Sequence, residues 1–338
     1  MHPEVVLTGV LLTIAVLVTA ARVLGVPYPI FLVIGGLAIG IVPGVPELEL
    51  DPDLVLLIFL PPLLYGAAYF TDLHQLRENV RPVSSLAIGL VGATILTVAL
   101  VAHTVIDGMS WPAAFVLGAI VSPTDPVAAT ALASRMGLPR RVVNIVEGES
   151  LVNDATGLVA YKIALTAVLA GTFSVWDAGG RFVYTAAGGL AVGLAVGYAL
   201  AEVRSRLDDP PVEITISLFA GYLAYLPAEE LGMSGVVAAV TVGLVLGSQT
   251  SRLTTPTLRL QIGPVWELLM FVLNSILFLL IGLQLPVMLD ELRAAEYSTA
   301  EVIGYSAVVA LTVILVRMAL AVALAPGVRR HGAPHAHP

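Results

Sequence analysis

The chain contains no cysteine, which excludes disulfides, thiolate metal sites and thiol catalysis. Charge is scarce: Asp, Glu, Lys and Arg make up 12% of 338 residues, against roughly 25% in ordinary soluble domains. Neither basic clusters nor stacking aromatics form a continuous patch, so the formal charge of −8 has no bearing on nucleic acid, and no nucleic-acid partner is expected. No phosphate-cradling glycine loop precedes a helix, which removes support for ATP hydrolysis. No Ser/His or metal-ligand set converges, and His103 with Asp125 does not make one. An intramembrane hydrolase is therefore not expected, nor enzymatic activity, and no cofactor is implied.

What fills the chain instead is apolar sequence. Hydrophobic residues make up 58% and the mean hydropathy is +0.94, which marks an integral protein whose partner is the lipid bilayer. Breaks at Gly, Pro and charge predict eleven spans, near 4–24, 28–43, 54–70, 84–106, 111–134, 143–170, 180–203, 211–228, 232–248, 265–289 and 299–324. The class is thus an all-α polytopic membrane protein. The first segment lacks a basic leader and a small-residue cleavage site, so it is read as a retained helix.

Arginine sets the expected orientation. Twelve (Arg22, Arg77, Arg81, Arg135, Arg140, Arg141, Arg204, Arg206, Arg252, Arg259, Arg329 and Arg330) fall in connections after odd-numbered spans, against only Arg181 and Arg293 after even ones. By the positive-inside rule the N-terminus lies outside. Acidic residues on the other side, Glu229 and Glu230 among them, read as solvated loop charge. One transmembrane domain covers 1–338, dividing loosely into 1–175 and 176–324 with a polar tail over 325–338. Such halves suit inverted repeats, in which sites form at the midplane where helices break. Gly188, Gly189, Gly193 and Gly197 are spaced for close helix packing, within the bundle or at a dimer contact.

The polar residues inside the spans are few and clustered. In span five, Pro123 and Pro126 flank Thr124-Asp125 near mid-membrane. Each proline removes a donor and obstructs the carbonyl four residues earlier, so the helix is expected to break and turn freed carbonyls toward a cavity or a cation. In span six, Glu147, Ser150 and Asp154 share one stripe, with Glu149 and Asn153 on the next. An Asp at the centre of a spanning helix costs about 2.5–3.5 kcal/mol, so such a residue normally marks an ion or proton path.

Two basic residues are read as lying inside spans, Lys162 and Arg317. Arg317 cannot shed its proton and needs a carboxylate, for which Glu149 is the candidate, as a structural pair. Lys162 is expected to snorkel to a membrane surface. His103, Asn274 and Gln284 are expected to serve packing or helix-to-helix hydrogen bonds, and the tail histidines His331, His335 and His337 to be disordered.

Taken together, Phe59-Leu-Pro-Pro-Leu-Leu-Tyr65, Ser122-Pro-Thr-Asp-Pro-Val127, Glu147-Gly-Glu-Ser-Leu-Val-Asn-Asp-Ala155 and the late Arg317 resemble the monovalent cation/proton antiporters, in the bacterial-type branch of the sodium/proton exchangers. The resemblance covers nearly the whole chain. It implies an inverted-repeat antiporter fold with a discontinuous helix at Thr124-Asp125. It implies that Asp154 carries the proton or binds Na⁺ or K⁺, that Asn153 is its neutral neighbour, that Ser150 helps coordinate the cation, and that Thr124 and Asp125 lie where the unwound helix crosses. Glu149 with Arg317 matches the family's structural ion pair, and a homodimer is implied.

Two departures stand out. Gly66 occupies a position where many relatives carry an acidic residue, and the family's second broken helix and final span are expected to be missing.

The expected activity is secondary antiport of Na⁺ or K⁺ against H⁺ across the cytoplasmic membrane, with no cofactor. With Asn153 in place of a second carboxylate, one negative charge cycles, which predicts electroneutral one-for-one exchange. The alternatives are a cation channel, since acidic groups can also select cations, and a transport-inactive scaffold motivated by the early C-terminus.

Overall fold

The computed structural model of the protein describes residues 3–42, 51–71, 85–124, 136, 140–170, 175–207, 209–253, 256–294 and 298–330. The described residues are helical with short connections. The helices are α1 (Pro3–Leu24), α2 (Tyr28–Gly40), α3 (Pro52–Phe70), α4 (Val91–Val105), α5 (Trp111–Val121), α6 (Arg140–Ala170), α7 (Val175–Arg204), α8 (Pro210–Glu230), α9 (Gly235–Leu253), α10 (Pro256–Ala294) and α11 (Thr299–Arg330). A π-helical stretch, Ser85–Leu90, leads into α4. Each expected span therefore has its helix, and seven segments are long and apolar enough to cross a bilayer.

Local chemistry explains where the helices begin and turn. Asp51 caps α3 by accepting from the Asp53 N–H at 2.9 Å, with Pro52 in the first turn, where its missing donor costs nothing. Ser110 accepts from the Ala113 N–H ahead of Pro112 in the same way on α5. The α8–α9 corner turns through Gly232, whose φ of +69° suits a residue without a Cβ.

Because lipid tails offer no hydrophobic drive between helices, close backbone approach and interhelical hydrogen bonds must hold the bundle. Glycines supply that approach. Gly36 of α2 lies against the Leu279 carbonyl of α10, and Gly282 of α10 against the Val33 carbonyl of α2. Gly189 and Gly193 of α7 press on the Ser234 and Ala238 carbonyls. The glycine run singled out in the sequence thus packs α7 onto α9 inside the bundle.

Two groupings result. Helices α3, α7, α8 and α9 pack around a core containing Tyr65, Leu246, Leu258 and Trp266, with α10 joining through Trp266 and carrying α2 and α1 on its other side. On the other side α4 packs with α5 and α11, and α5 with α6. Of these, α6 also touches α3, α7 and α9. It is the seam between the two groupings.

Candidate cation site

The site forms where α5 stops. The prolines were expected to interrupt a span running over 111–134. The helix ends at Val121, and Ser122, Pro123 and Thr124 follow without helical structure. At 1.5 Å per residue the 11 residues of α5 reach about 16 Å, roughly half the hydrocarbon core. Asp125, the other half of the expected crossing pair, lies outside the described residues, as does the side chain of Glu147. Helix α6 passes close to this end because Gly157 faces Pro123, and a Cβ there would collide with the proline ring.

Three side chains bind the broken end to α6 and α11. Asn153 donates through Nδ2 to Thr124 Oγ1 at 2.9 Å and, more weakly, to Glu149 Oε1 at 3.4 Å. Arg317 donates through Nη2 to the Ser122 carbonyl, an acceptor freed by the end of α5, while its Nη1 lies 4.0 Å from Glu149 Oε1. Glu149 and Arg317 thus lie at the edge of ion-pair distance, and both connect to the helix break, through Ser122 on one side and through Asn153 and Thr124 on the other.

What the network leaves over is chemically informative. Asn153 and Ser150 are fully buried, yet Asn153 Oδ1 and Ser150 Oγ have no hydrogen-bond partner among the described residues. Buried oxygens of this kind are costly unless something completes them. Asn153 spends its donors on Thr124 and Glu149, so its acceptor is what remains for a guest. Asp154 follows on the same helix, half-buried, with Ser150 one turn before it. The described residues contain no group of three or more His, Cys, Asp or Glu able to hold a metal ion. Gly66 is enclosed by Trp266 and Met270, and a Cβ there would lie 2.9–3.0 Å from their side chains. An acidic side chain at this position has no room in this packing.

Other sequence readings need correction. Lys162, expected to snorkel, has a partner that was not foreseen: Nζ lies 2.6 Å from both carboxylate oxygens of Glu229. Glu229, read as a solvated loop charge, is partly exposed and carries this ion pair. Arg204, read as a loop arginine, ends α7 fully buried beside Glu213, with Nε 3.5 Å from Oε2 and the two side chains 0% and 2% exposed. His103, expected to serve packing or hydrogen bonding, donates through Nδ1 to the Met109 carbonyl at 2.7 Å and stacks on Trp111, at the α4–α5 corner. A buried polar cluster also escaped sequence reading, in which Tyr65 Oη and Trp266 Nε1 meet Ser217 Oγ at 3.1 and 3.0 Å. Only the aromatic and hydroxyl composition of α3 and α8 hints at it.

The description of the transmembrane sodium/hydrogen exchanger family fits residues 9–335. The chain belongs to the sodium/hydrogen exchanger family. It is a multi-pass membrane protein. It is 34% identical over 300 residues to the sodium, potassium, lithium and rubidium/H⁺ antiporter of Bacillus pumilus, covering 86% of this chain and 45% of that protein. It is 40% identical over 266 residues to the Na⁺/H⁺ antiporter ApNhaP of Aphanothece halophytica, covering 78% of this chain and 50% of that one. The chain spans about half the length of the curated relatives it matches. The fold is shared with the sodium proton antiporter MjNhaP1 from Methanocaldococcus jannaschii, with a TM-score of 0.67 at 22% identity, covering 84% of this chain and 71% of that structure.

Proposed function

We propose that this exchanger-family chain is a secondary active antiporter that exchanges Na⁺ or K⁺ for H⁺, with Asp154 occupied alternately by a proton and a dehydrated cation. The observation that carries this reading is the pair of buried, unpartnered oxygens, Asn153 Oδ1 and Ser150 Oγ, beside Asp154 at the broken end of α5. An incoming cation would complete them, while a proton would satisfy Asp154 alone. Desolvation penalises the charged carboxylate, so proton and cation compete for one acid and each expels the other. Thr124, Asp125 and the freed carbonyls beside them would supply further oxygens, with Glu149 and Arg317 bracing the break.

One cycling charge makes the exchange electroneutral and one-for-one. If the loaded seam helix moves only when Asp154 is neutralised, the two fluxes are coupled without any other energy source. Alternating access would then proceed by displacement of α4, α5, α6 and α11 against the other grouping. The halves 1–175 and 176–324 would act as inverted repeats, the N-terminus would face outward, and two copies would assemble as a homodimer.

The test is a reconstitution. In vesicles carrying a proton gradient, added Na⁺ or K⁺ is expected to dissipate the gradient with the wild-type protein and not with Asp154→Asn. A retained response in that variant removes Asp154 from its role. A current that does not saturate and needs no opposing proton gradient would replace antiport by a channel. A folded protein that shows neither would be the inactive scaffold.

A further inference from the structure

A cavity of about 420 Å³ lies on the seam, walled by Leu158, Val159 and Lys162 of α6, by Thr185 of α7, and by Glu229 and Met233 at the α8–α9 corner. Here α6 faces the other grouping across open space rather than a packed surface. The polar link across that space is Lys162 to Glu229, with Nζ 2.6 Å from both carboxylate oxygens. Lys162 is the only lysine in the chain. Glu229 is held in place from behind, because Oε1 also accepts the Gly235 N–H at 3.0 Å, at the start of α9. The carboxylate is therefore fixed to the α8–α9 corner, and the lysine is the part that lets go.

Exposure separates this pair from a scaffold contact. The Lys162 and Glu229 side chains are 43% and 31% exposed, so water can take over either charge when the two part. The fully buried Arg204–Glu213 pair has no such replacement, and opening it would strand charge in a dry interior. Leu158, on the cavity wall, stands one helical turn beyond Asp154 on the same face of α6. Lys162 is eight residues beyond Asp154, about 12 Å along the axis. Parting the pair would extend the cavity along α6 toward Asp154.

We propose that Lys162 and Glu229 form a reversible bolt across the seam, which holds α6 to the α8–α9 corner in this conformation and must open before the cavity connects to Asp154. Both are positioning residues, acting through the placement of α6 and not on the ion. The proposal rests on the antiport reading for its meaning, but its test does not depend on transport.

Since the chain has no cysteine, Val159→Cys introduces a single thiol at a cavity-wall position that is only 4% exposed. Its rate of labelling by a polar maleimide in detergent reports how often the seam opens. Lys162→Met and Glu229→Gln, each added to Val159→Cys, are expected to raise the rate several-fold, and Lys162→Arg, which keeps the charge, to leave it near the parent value. Glu229→Gln retains an oxygen for the Gly235 N–H, so it removes the bolt without removing that cap. Unchanged labelling in both Lys162→Met and Glu229→Gln overturns the proposal, as does equal acceleration in Lys162→Arg. Absence of proton-coupled Na⁺ or K⁺ exchange in the wild type, with the labelling pattern intact, would sink the antiport reading and leave the bolt standing.

Discussion

Among the described residues, two ion pairs set inside the bundle differ in what surrounds them. Arg204 and Glu213 are nine residues apart, join the end of α7 to the start of α8, and are shut away from solvent on the same side of the seam. Arg317 and Glu149 are 168 residues apart, 20% and 13% exposed, and both are tied to the end of α5 through Ser122 and Asn153. The first pair fixes a corner. The second braces the end of α5, and under the antiport reading its loss is expected to alter exchange where loss of the first is not.

The largest effect is expected where burial is complete. Glu213→Leu leaves the Arg204 guanidinium buried without its carboxylate, with Nη1 and Nη2 already lacking hydrogen-bond partners. Breaking a buried pair from one side costs about 3–5 kcal/mol, while replacing both members with apolar residues is often neutral. Thermal unfolding in detergent should therefore fall sharply for Glu213→Leu and recover in Arg204→Met/Glu213→Leu. The recovered double variant should exchange ions like the wild type. If it folds but does not exchange, the pair is more than a corner brace and the contrast fails.

Arg317→Ala should cost less stability and more function. A hydrogen bond from a charged donor contributes about 1.5–3 kcal/mol, and residual solvent access at Arg317 and Glu149 softens the loss. The Ser122 carbonyl would lose its donor and Glu149 its nearby charge, so the end of α5 should shift against α6. Exchange is expected to fall by at least tenfold in protein that still elutes as a single species. Arg317→Lys should not restore it, because one ammonium does not reproduce a planar fork that serves two acceptors. Full activity in Arg317→Lys would show that only the charge matters.

How legible these features were depends on the range over which each is encoded. The helices follow from runs of apolar residues and their breaks, which are local, so all eleven positions were readable. The end of α5 was readable because two prolines around Thr124 obstruct a helix whatever packs nearby. Glu149–Arg317 was reachable by elimination, since an arginine within an apolar run demands a carboxylate. Arg204 was misread because a charge at the end of an apolar segment looks the same whether it turns out to water or in toward Glu213. The partner of Lys162 was missed for a related reason: it lies 67 residues away, beyond anything that periodicity reports. The Asn153–Thr124 bond could not be read from the sequence either, because it depends on Gly157 letting α6 approach Pro123.

Asn153→Ala sharpens the comparison from the site side. It removes the bond to Thr124 and the weaker one to Glu149 while leaving the Arg317–Glu149 contact in place. Stability should drop by about 1 kcal/mol, the usual net value of a hydrogen bond. The concentration of Na⁺ or K⁺ giving half-maximal gradient dissipation should rise, since an acceptor oxygen beside Asp154 is lost. If half-saturation does not move while turnover falls, Asn153 holds the broken helix but contributes nothing to the ion.

The smallest thermal effect is expected at the third pair. Lys162 and Glu229 are partly solvated, and exposed ion pairs contribute about 0–1 kcal/mol because water competes for both charges and ordering the lysine costs entropy. Lys162→Met should therefore shift the melting temperature by little, although the same substitution is expected to open the seam to a thiol reagent. That separation is physically required if the pair selects between two folded arrangements. About 1 kcal/mol is small beside the stability of a fold but enough to change the ratio of two folded states about fivefold. A large loss of melting temperature in Lys162→Met would place this pair with Arg204–Glu213 as scaffold, and the ranking of the three pairs by solvent access would fail.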